Sequence, residues 1–267
     1  MSGDTLTFRI LGCGSSGGVP RLGGQWGDCD PANPSNRRGR CSLLVTRTSG
    51  EKMTRVLIDT SPDMRSQLID ANVGTLDAVV YTHAHADHVH GIDDLRMITF
   101  NTRQRMQCWA DADTSNALLA RFGYIFATPR GSNYPPVCEL SLINGDISID
   151  GAAGPIALTP ITVTHGNIDA LGFRIENTAY MPDVSDIPAP AWDQLQNLDL
   201  WIVDALRRTP HPTHSHLDKT LDWISQASPK QAILTNMHND LDHDTVAAET
   251  PDHIRPAYDG MEITLPL

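Results

Sequence analysis

The chain has 267 residues, of which 40% are hydrophobic and 19% charged, and its formal net charge is −12 at neutral pH. This length and composition predict one globular domain over residues 1–267 and exclude a disordered or membrane-like chain. No apolar run in the sequence approaches a membrane span, and the acidic balance argues against broad binding to nucleic acid backbones.

The cysteines and the amino terminus bear on where the protein works. The first residues include Asp4 and lack the basic and apolar segments of an export signal. The five cysteines are odd in number and form no Cys-x-x-Cys pair, which is unlike a disulfide framework. We therefore expect reduced thiols and a cytoplasmic protein.

Strand-like runs and helical windows alternate along the chain. The predicted strands are Leu6–Leu11, Ser42–Thr46, Arg55–Ile58, Ile147–Ile149, Ile156–Val163, Leu171–Glu176, Leu200–Val203 and Ala232–Thr235. The predicted helices are Pro62–Asn72, Ile92–Asn101, Thr114–Phe122 and Leu217–Gln226. This order, with no linker rich in Pro, Gly or Ser, predicts a single layered α/β domain.

A loop rich in glycine and serine, residues 12–18, follows the first predicted strand. It matches the spacing G-x-G-x-x-G, but Pro20 and two further glycines come next and disfavour the helix that a dinucleotide site needs. We expect the loop to line a substrate pocket, with Ser15 and Ser16 as substrate-binding residues. Arg38, in a short basic run, is expected to meet a phosphate, and a solvated turn is the alternative for it.

The most informative segment, residues 83–88, places three histidines and one aspartate directly after the apolar run Leu76–Tyr81. Val and Tyr in that run favour a strand. Neutral imidazole and carboxylate are ligands that Zn(II), Mn(II) and Fe(II) accept. The spacing indicates two ions, the first two histidines reaching one and the following pair the other. The four predicted ligands are His83, His85, Asp87 and His88.

Three later residues of the ligand type each follow a strand-like run: His165, Asp183 and His238. Because strand ends converge at one rim of a sandwich of sheets, we expect these residues to complete the metal site. Asp59 also follows a predicted strand and is expected to orient a ligand imidazole, the alternative being a turn-capping aspartate.

This pattern resembles the metallo-β-lactamase superfamily, in which HxHxDH is followed by distal His, Asp and His. The segments Leu11–Pro20, Arg37-Arg38, Leu57–Asp59 and Tyr258–Ile263 are similar to one branch, the PhnP-like phosphoribosyl cyclic phosphodiesterases. The resemblance implies an α/β fold, the αββα metallo-β-lactamase sandwich of two mixed β-sheets flanked by helices.

The resemblance also implies two divalent metal ions, Zn or Mn. It assigns His83, His85 and His165 to one ion, Asp87, His88 and His238 to the other, and Asp183 to a bridge. The branch favours Thr-His-x-x-His at the last ligand, whereas Asn236 follows Thr235 here. Asn236 and His238 therefore both remain candidates for that position.

The activity implied is that of a metal-dependent hydrolase, a phosphoric diester hydrolase, in which the ions activate water for attack on a small cyclic or nucleotide-like phosphodiester. Asp87 is expected to be catalytic. His216, with Asp218 beside it, is expected to contact the substrate and protonate the leaving group. His211 and His214, in the same proline-containing loop, are expected at the surface.

Several alternatives remain open at this stage. Other hydrolases of the superfamily include a tRNA 3′-processing endonuclease, a thioesterase and a lactamase. From a different class, the chain could be a non-catalytic nucleotide-binding or cofactor-biosynthesis accessory protein. The expected partner is the small phosphodiester substrate. Extended nucleic acid and membranes are not expected, and a homodimer is left open.

Overall fold

The structure is a computed structural model that describes residues 3–128 and 130–267. In these ranges the strands form two mixed seven-stranded sheets, accompanied by six α-helices, so the predicted α/β class is confirmed. The strands are β1 (Thr5–Gly12), β2 (Ser42–Ser49), β3 (Lys52–Ile58), β4 (Ala78–Val80), β5 (Met106–Ala110), β6 (Cys138–Leu142), β7 (Ile147–Ile149), β8 (Ile156–His165), β9 (Ile168–Ile175), β10 (Thr178–Met181), β11 (Leu200–Asp204), β12 (Gln231–Thr235), β13 (Ile254–Pro256) and β14 (Glu262–Pro266).

The helices are α1 (Met64–Asp70), α2 (Ala86–Val89), α3 (Leu95–Thr102), α4 (Ala112–Phe126), α5 (Leu217–Ala227) and α6 (His243–Glu249). Every predicted strand and helix is present, with its ends shifted by a few residues. Met1 and Ser2, part of the amino-terminal segment in which no export signal is expected, lie outside the described residues. Among the described residues, no helix is long and apolar enough to cross a membrane.

The chain divides into two compact units. The first comprises Met1–Leu11, Ser42–Ala157 and Glu262–Leu267, and the second comprises Gly12–Cys41 and Leu158–Met261. That residues 1–267 form a single domain stays a prediction.

The sheet of the first unit has the strand order β14-β1-β2-β3-β4-β5-β6. A hairpin joins β2 to β3, with Ser49 opposite Lys52, and Gly50 in the turn has a φ of +60°. From β3 to β6 the strands are parallel, so their carboxyl ends share one edge of the sheet. Asp59 follows β3 and the histidine motif follows β4 at this edge.

The second sheet has the order β13-β12-β11-β10-β9-β8-β7. The hairpin of β8 and β9 brings His165 opposite Ile168. From β10 to β13 the strands are parallel, and β11 is buried along its whole length. The carboxyl ends of β10, β11 and β12 lead to Asp183, Asp204 and Asn236, which gives these polar side chains one common edge.

Candidate metal centre

The histidine motif of the first unit is held between a buried strand and a one-turn helix. Val80, the last residue of β4, and Tyr81 directly after it are fully buried. His85 is the N-cap residue of α2, and Asp87 and His88 lie within this helix. The motif therefore combines a fixed strand end with a short turn that directs several side chains to one place.

Four side chains form what we call the amino-terminal ligand cluster: His83, His85, Asp87 and His88. His83 Nε2 lies 3.0 Å from His85 Nδ1. His88 Nε2 lies 3.6 Å from Asp87 Oδ2. A tetrahedral metal ion with bonds of about 2.0–2.1 Å keeps its ligand atoms about 3.3 Å apart. The donor atoms of this cluster are thus spaced as metal ligands are.

Asp59 fixes the orientation of His88 within that cluster. Its carboxylate lies 2.7 Å from His88 Nδ1 and accepts hydrogen bonds from the backbone N–H and the hydroxyl of Thr82 at 2.8 and 2.7 Å. Burial raises the pKa of the Asp59 carboxyl, and the contacts with His88 and Thr82 oppose that shift. Nδ1 of His88 is engaged by a carboxylate, so Nε2, which faces Asp87, is the nitrogen that would bind a metal. This arrangement is typical of metal-binding histidines. The predicted contact between Asp59 and a ligand imidazole is present.

The second unit holds a comparable group, the carboxyl-terminal ligand cluster: His165, Asp183, Asp204, His214 and Asn236. His165 donates from Nδ1 to the backbone carbonyl of Thr213 at 2.6 Å, and its Nε2 lies 3.6 Å from Asp183 Oδ2. As with His88, one imidazole nitrogen is held by a protein oxygen while the other faces a carboxylate. This donor set fits a divalent metal ion.

The expectation that His214 lies at the surface is wrong. Its side chain is only 15% exposed, and its Nδ1 is 2.9 Å from Oδ2 of the fully buried Asp204. The backbone N–H of Leu206 donates to the carbonyl of Ser215, so the loop folds back and carries the histidine inward. The pKa of Asp204 is raised to about 6, because the effect of burial outweighs the opposing effect of the neighbouring His214. The rings of His214 and His165 have centroids 4.6 Å apart.

His216 and Asp218 do not join this cluster. His216 is the N-cap residue of α5 without a capping hydrogen bond from its side chain, and Asp218 is exposed in the first helical turn. Within the described part of the chain neither residue makes a hydrogen bond or ion pair with a predicted ligand. The helix begins directly after His216. The roles expected of His216 and Asp218 therefore stay predictions.

Asn236 lies beside two carboxylates of the carboxyl-terminal ligand cluster. Its amide nitrogen lies 3.1 Å from Asp183 Oδ1 and 3.2 Å from Asp204 Oδ1, so it donates to both carboxylates. His238 is directed elsewhere: its Nδ1 lies 3.1 Å from Asp240 Oδ1, and its Nε2 contacts a guanidinium nitrogen of Arg21. The structure thus brings Asn236, and not His238, against Asp183.

Two of the expected substrate-binding residues are buried. Arg38 is only 2% exposed, and its guanidinium donates to the carbonyl of Leu241 at 2.8 Å and to that of His238 at 3.3 Å. The expected direct contact between Arg38 and a substrate is therefore wrong, because the guanidinium is enclosed by protein carbonyls. Ser15 is 4% exposed, whereas Ser16 is exposed at the tip of its loop.

Fold and site together define a metal-dependent hydrolase of the metallo-β-lactamase fold. Residues 54–237 match the model of the β-lactamase superfamily domain, and the chain belongs to this superfamily. A crystal structure of a new diphosphatase from the PhnP family is 33% identical, with a TM-score of 0.86 and 98% of both chains covered. The predicted resemblance to the PhnP-like branch is confirmed.

Two curated relatives extend the comparison. An octanoyltransferase of Porphyromonas gingivalis is 33% identical over 257 residues, which cover 95% of this chain and 50% of that protein. A ribonuclease Z of Bradyrhizobium diazoefficiens is 29% identical over 151 residues, which cover 55% of this chain and 47% of that protein. The chain thus spans about half the length of the curated relatives it matches.

Proposed function

We propose that the protein hydrolyses a small cyclic or nucleotide-like phosphodiester with two divalent metal ions, Zn or Mn. The observation that carries this proposal is the donor pattern of the two ligand clusters. In each, an imidazole has one nitrogen held by a protein oxygen and the other beside a carboxylate. When bound, the metal ions activate water and neutralise charge on the phosphoryl oxygens.

The proposed ligands are His83, His85, Asp87, His88, His165 and Asp183, with Asn236 or His238 at the last position. Asp59 and the carbonyl of Thr213 would hold two of the imidazoles in register. His214, held at Nδ1 by Asp204, would give a proton to the leaving oxygen. His216, Asp218, Ser15 and Ser16 have no described contact that assigns them a step.

A diphosphate is the second candidate substrate. The diphosphatase of the PhnP family is similar to this chain over nearly its whole length. Hydrolysis of a phosphodiester and of a diphosphate both need attack at phosphorus and protonation of a leaving oxygen, so the same residues serve either substrate.

The test compares bis(p-nitrophenyl) phosphate with ADP-ribose, a diphosphate diester, using protein reconstituted with Zn or Mn. Asp87→Ala should lose bound metal and lower kcat/KM by at least about 100-fold, because a ligand carboxylate is gone. Asp146→Ala removes the same charge at an exposed turn of the same unit and should retain wild-type kinetics. Full activity in Asp87→Ala would refute the ligand assignment, and hydrolysis of neither probe by the metal-loaded protein would refute the function.

We also propose a cytoplasmic location. All five cysteines are free and buried, which suits a reducing compartment. Fractionation of cells that express the tagged chain would test this, and recovery from a membrane or exported fraction would contradict it.

A further inference from the structure

We propose that Arg21, His238 and the backbone of Ser16-Gly17 form a subsite for a second anionic group of the substrate. The inference rests on the proposed function and narrows its substrate class. A substrate with two neighbouring phosphoryl groups, such as a diphosphate diester, would be preferred over a simple phosphodiester. All four residues belong to the second unit.

The glycine- and serine-rich loop presents its tip to solvent. Its base is fixed by hydrogen bonds from the N–H of Gly14 to the carbonyl of Gly39 at 2.7 Å and from the N–H of Gly18 to the carbonyl of Ser15 at 2.8 Å. The second bond closes a turn with Ser16 and Gly17 at its exposed apex. Among the described residues, the N–H groups of these two residues donate to no protein acceptor. Successive N–H groups at such a turn suit an anion.

Arg21 lies across this turn. A Cβ added at Gly17 would be 3.4 Å from Arg21 Cγ and 3.5 Å from Nε, so the arginine stem runs directly over the glycine. No carboxylate in the described ranges pairs with Arg21, although the chain as a whole is acidic. A planar guanidinium without a carboxylate partner, set beside open N–H groups, matches the geometry of a phosphoryl group.

His238 forms the other side of the subsite. Its Nδ1 is 3.1 Å from Asp240 Oδ1, and Asp240 Oδ2 accepts a hydrogen bond from the N–H of Arg208 at 3.0 Å. These contacts fix the imidazole so that Nε2 meets the Arg21 guanidinium. An arriving oxyanion would replace the imidazole as the acceptor for Arg21. His238 then contributes to substrate recognition and leaves the last ligand position to Asn236.

Kinetics of the metal-loaded enzyme provide the first test. Arg21→Ala should raise KM for ADP-ribose at least tenfold more than KM for bis(p-nitrophenyl) phosphate, with kcat for the two probes falling in similar proportion. Arg21→Lys should restore only part of the lost affinity, because lysine keeps the positive charge but lacks the forked donor of arginine. The matched control is Arg37→Ala. Arg37 is exposed in the same segment, and its guanidinium lies over the Trp26 ring, 5.4 Å from the centroid.

Equilibrium binding separates the subsite from catalysis. ADP-ribose binding is measured by calorimetry on Asp87→Ala protein, which should not turn over, alone and combined with Arg21→Ala or Arg37→Ala. The subsite predicts at least tenfold weaker binding with Arg21→Ala only. Equal losses in both double variants, no loss with Arg21→Ala, or no binding to Asp87→Ala protein would overturn the proposal. If the wild type hydrolyses neither probe, the function fails while this binding test still decides the subsite.

Discussion

At the scale of single residues, Asn236 is where this chain departs from the ligand pattern of its branch. Its backbone has a φ of +59°, a left-handed conformation that Asn, Asp and His adopt more readily than most residues. Its amide donates to Asp183 and Asp204, whereas a metal ligand must offer a lone pair. A metal ion at this position would therefore be held less tightly than by an imidazole.

Restoring the imidazole should strengthen metal binding. We expect Asn236→His to retain more zinc per chain after dialysis, with an affinity for the weaker ion about tenfold higher, a size typical of a changed ligand environment. Asn197→His is the control, since Asn197 is exposed and has a similar φ of +56°. The zinc content of the two variants after dialysis is measured by mass spectrometry. Equal zinc retention in both variants would contradict the prediction.

Asp259 ties the glycine- and serine-rich loop to the carboxyl-terminal end of the second unit. Its Oδ1 accepts from the N–H of Cys13 at 3.0 Å, and its Oδ2 accepts from the N–H of Gly39 at 2.6 Å. Burial raises the pKa of this carboxyl from 3.8 to about 6, although those hydrogen bonds oppose the shift. Between pH 3.8 and about pH 6, Asp259 therefore takes up a proton when the chain folds.

The sign of the resulting pH dependence follows from that proton. Protonation of Asp259 contributes to the free energy of unfolding. This contribution is fully present below the pKa of the unfolded state and is lost as pH rises through the pKa of the folded state, a change of about 3 kcal/mol at most. Urea unfolding of the wild type and of Asp259→Ala should therefore differ more at pH 4 than at pH 7. Parallel pH profiles of the two free energies of unfolding would show that Asp259 titrates normally.

The site residues found from sequence are those adjacent along the chain or directly after an obvious strand. Asp204 and His214 were missed because their pairing depends on a loop that folds back, which no local pattern reveals. Asp204 did carry a signal, since it ends the apolar strand β11 as Asp59 follows β3. Asn236 has the family spacing of the last ligand and His238 has the residue type, so only the side-chain contacts separate the two.

At the scale of elements, the exit from α2 depends on Gly91. The N–H of Gly91 donates to the carbonyl of Thr60 at 2.9 Å. A Cβ at Gly91 would overlap the carbonyl oxygen of Ser61 and lie 2.9 Å from Met64 Cβ. The lack of a side chain here lets the helix that carries His88 approach the loop before α1.

Alanine substitutions at two glycines should therefore have opposite effects. Gly91→Ala should lower the free energy of unfolding by about 1–3 kcal/mol and reduce metal content, because overpacking moves α2. Gly123→Ala, within α4 and with no atom near the added Cβ, should raise stability by about 0.5–1 kcal/mol. Urea melts of both variants test this, and similar stabilities would contradict the packing argument.

Sequence predicted the buried parallel strands well, because β11 and β12 are apolar along nearly their whole length. It missed β5, β6, β13, β14, α2 and α6, whose sequences mix polar and apolar residues. β14 gains its place by pairing with β1, with Phe8 opposite Ile263, across almost the whole chain. Such long-range pairing is not visible in a local window.

At the scale of the whole molecule, the net charge of −12 bears on whether the chain binds nucleic acid. We predict no complex with tRNA at low salt at protein concentrations up to about 10 μM, because binding to phosphates needs basic patches. A ribonuclease Z serves as the positive control in a gel-shift assay. Binding that weakens as salt rises would favour the tRNA 3′-processing alternative. That alternative is worth testing because a ribonuclease Z is 29% identical to this chain over 151 residues.

Each unit contains buried thiols whose reaction with a labelling reagent would report when that unit opens. Cys108 and Cys138 lie in the first unit, and Cys13, Cys29 and Cys41 in the second. A thiol reagent can reach these sulfurs only when the surrounding structure opens. The rate at which each cysteine is labelled, read by peptide mass spectrometry, would therefore time the opening of each unit separately, without an introduced probe.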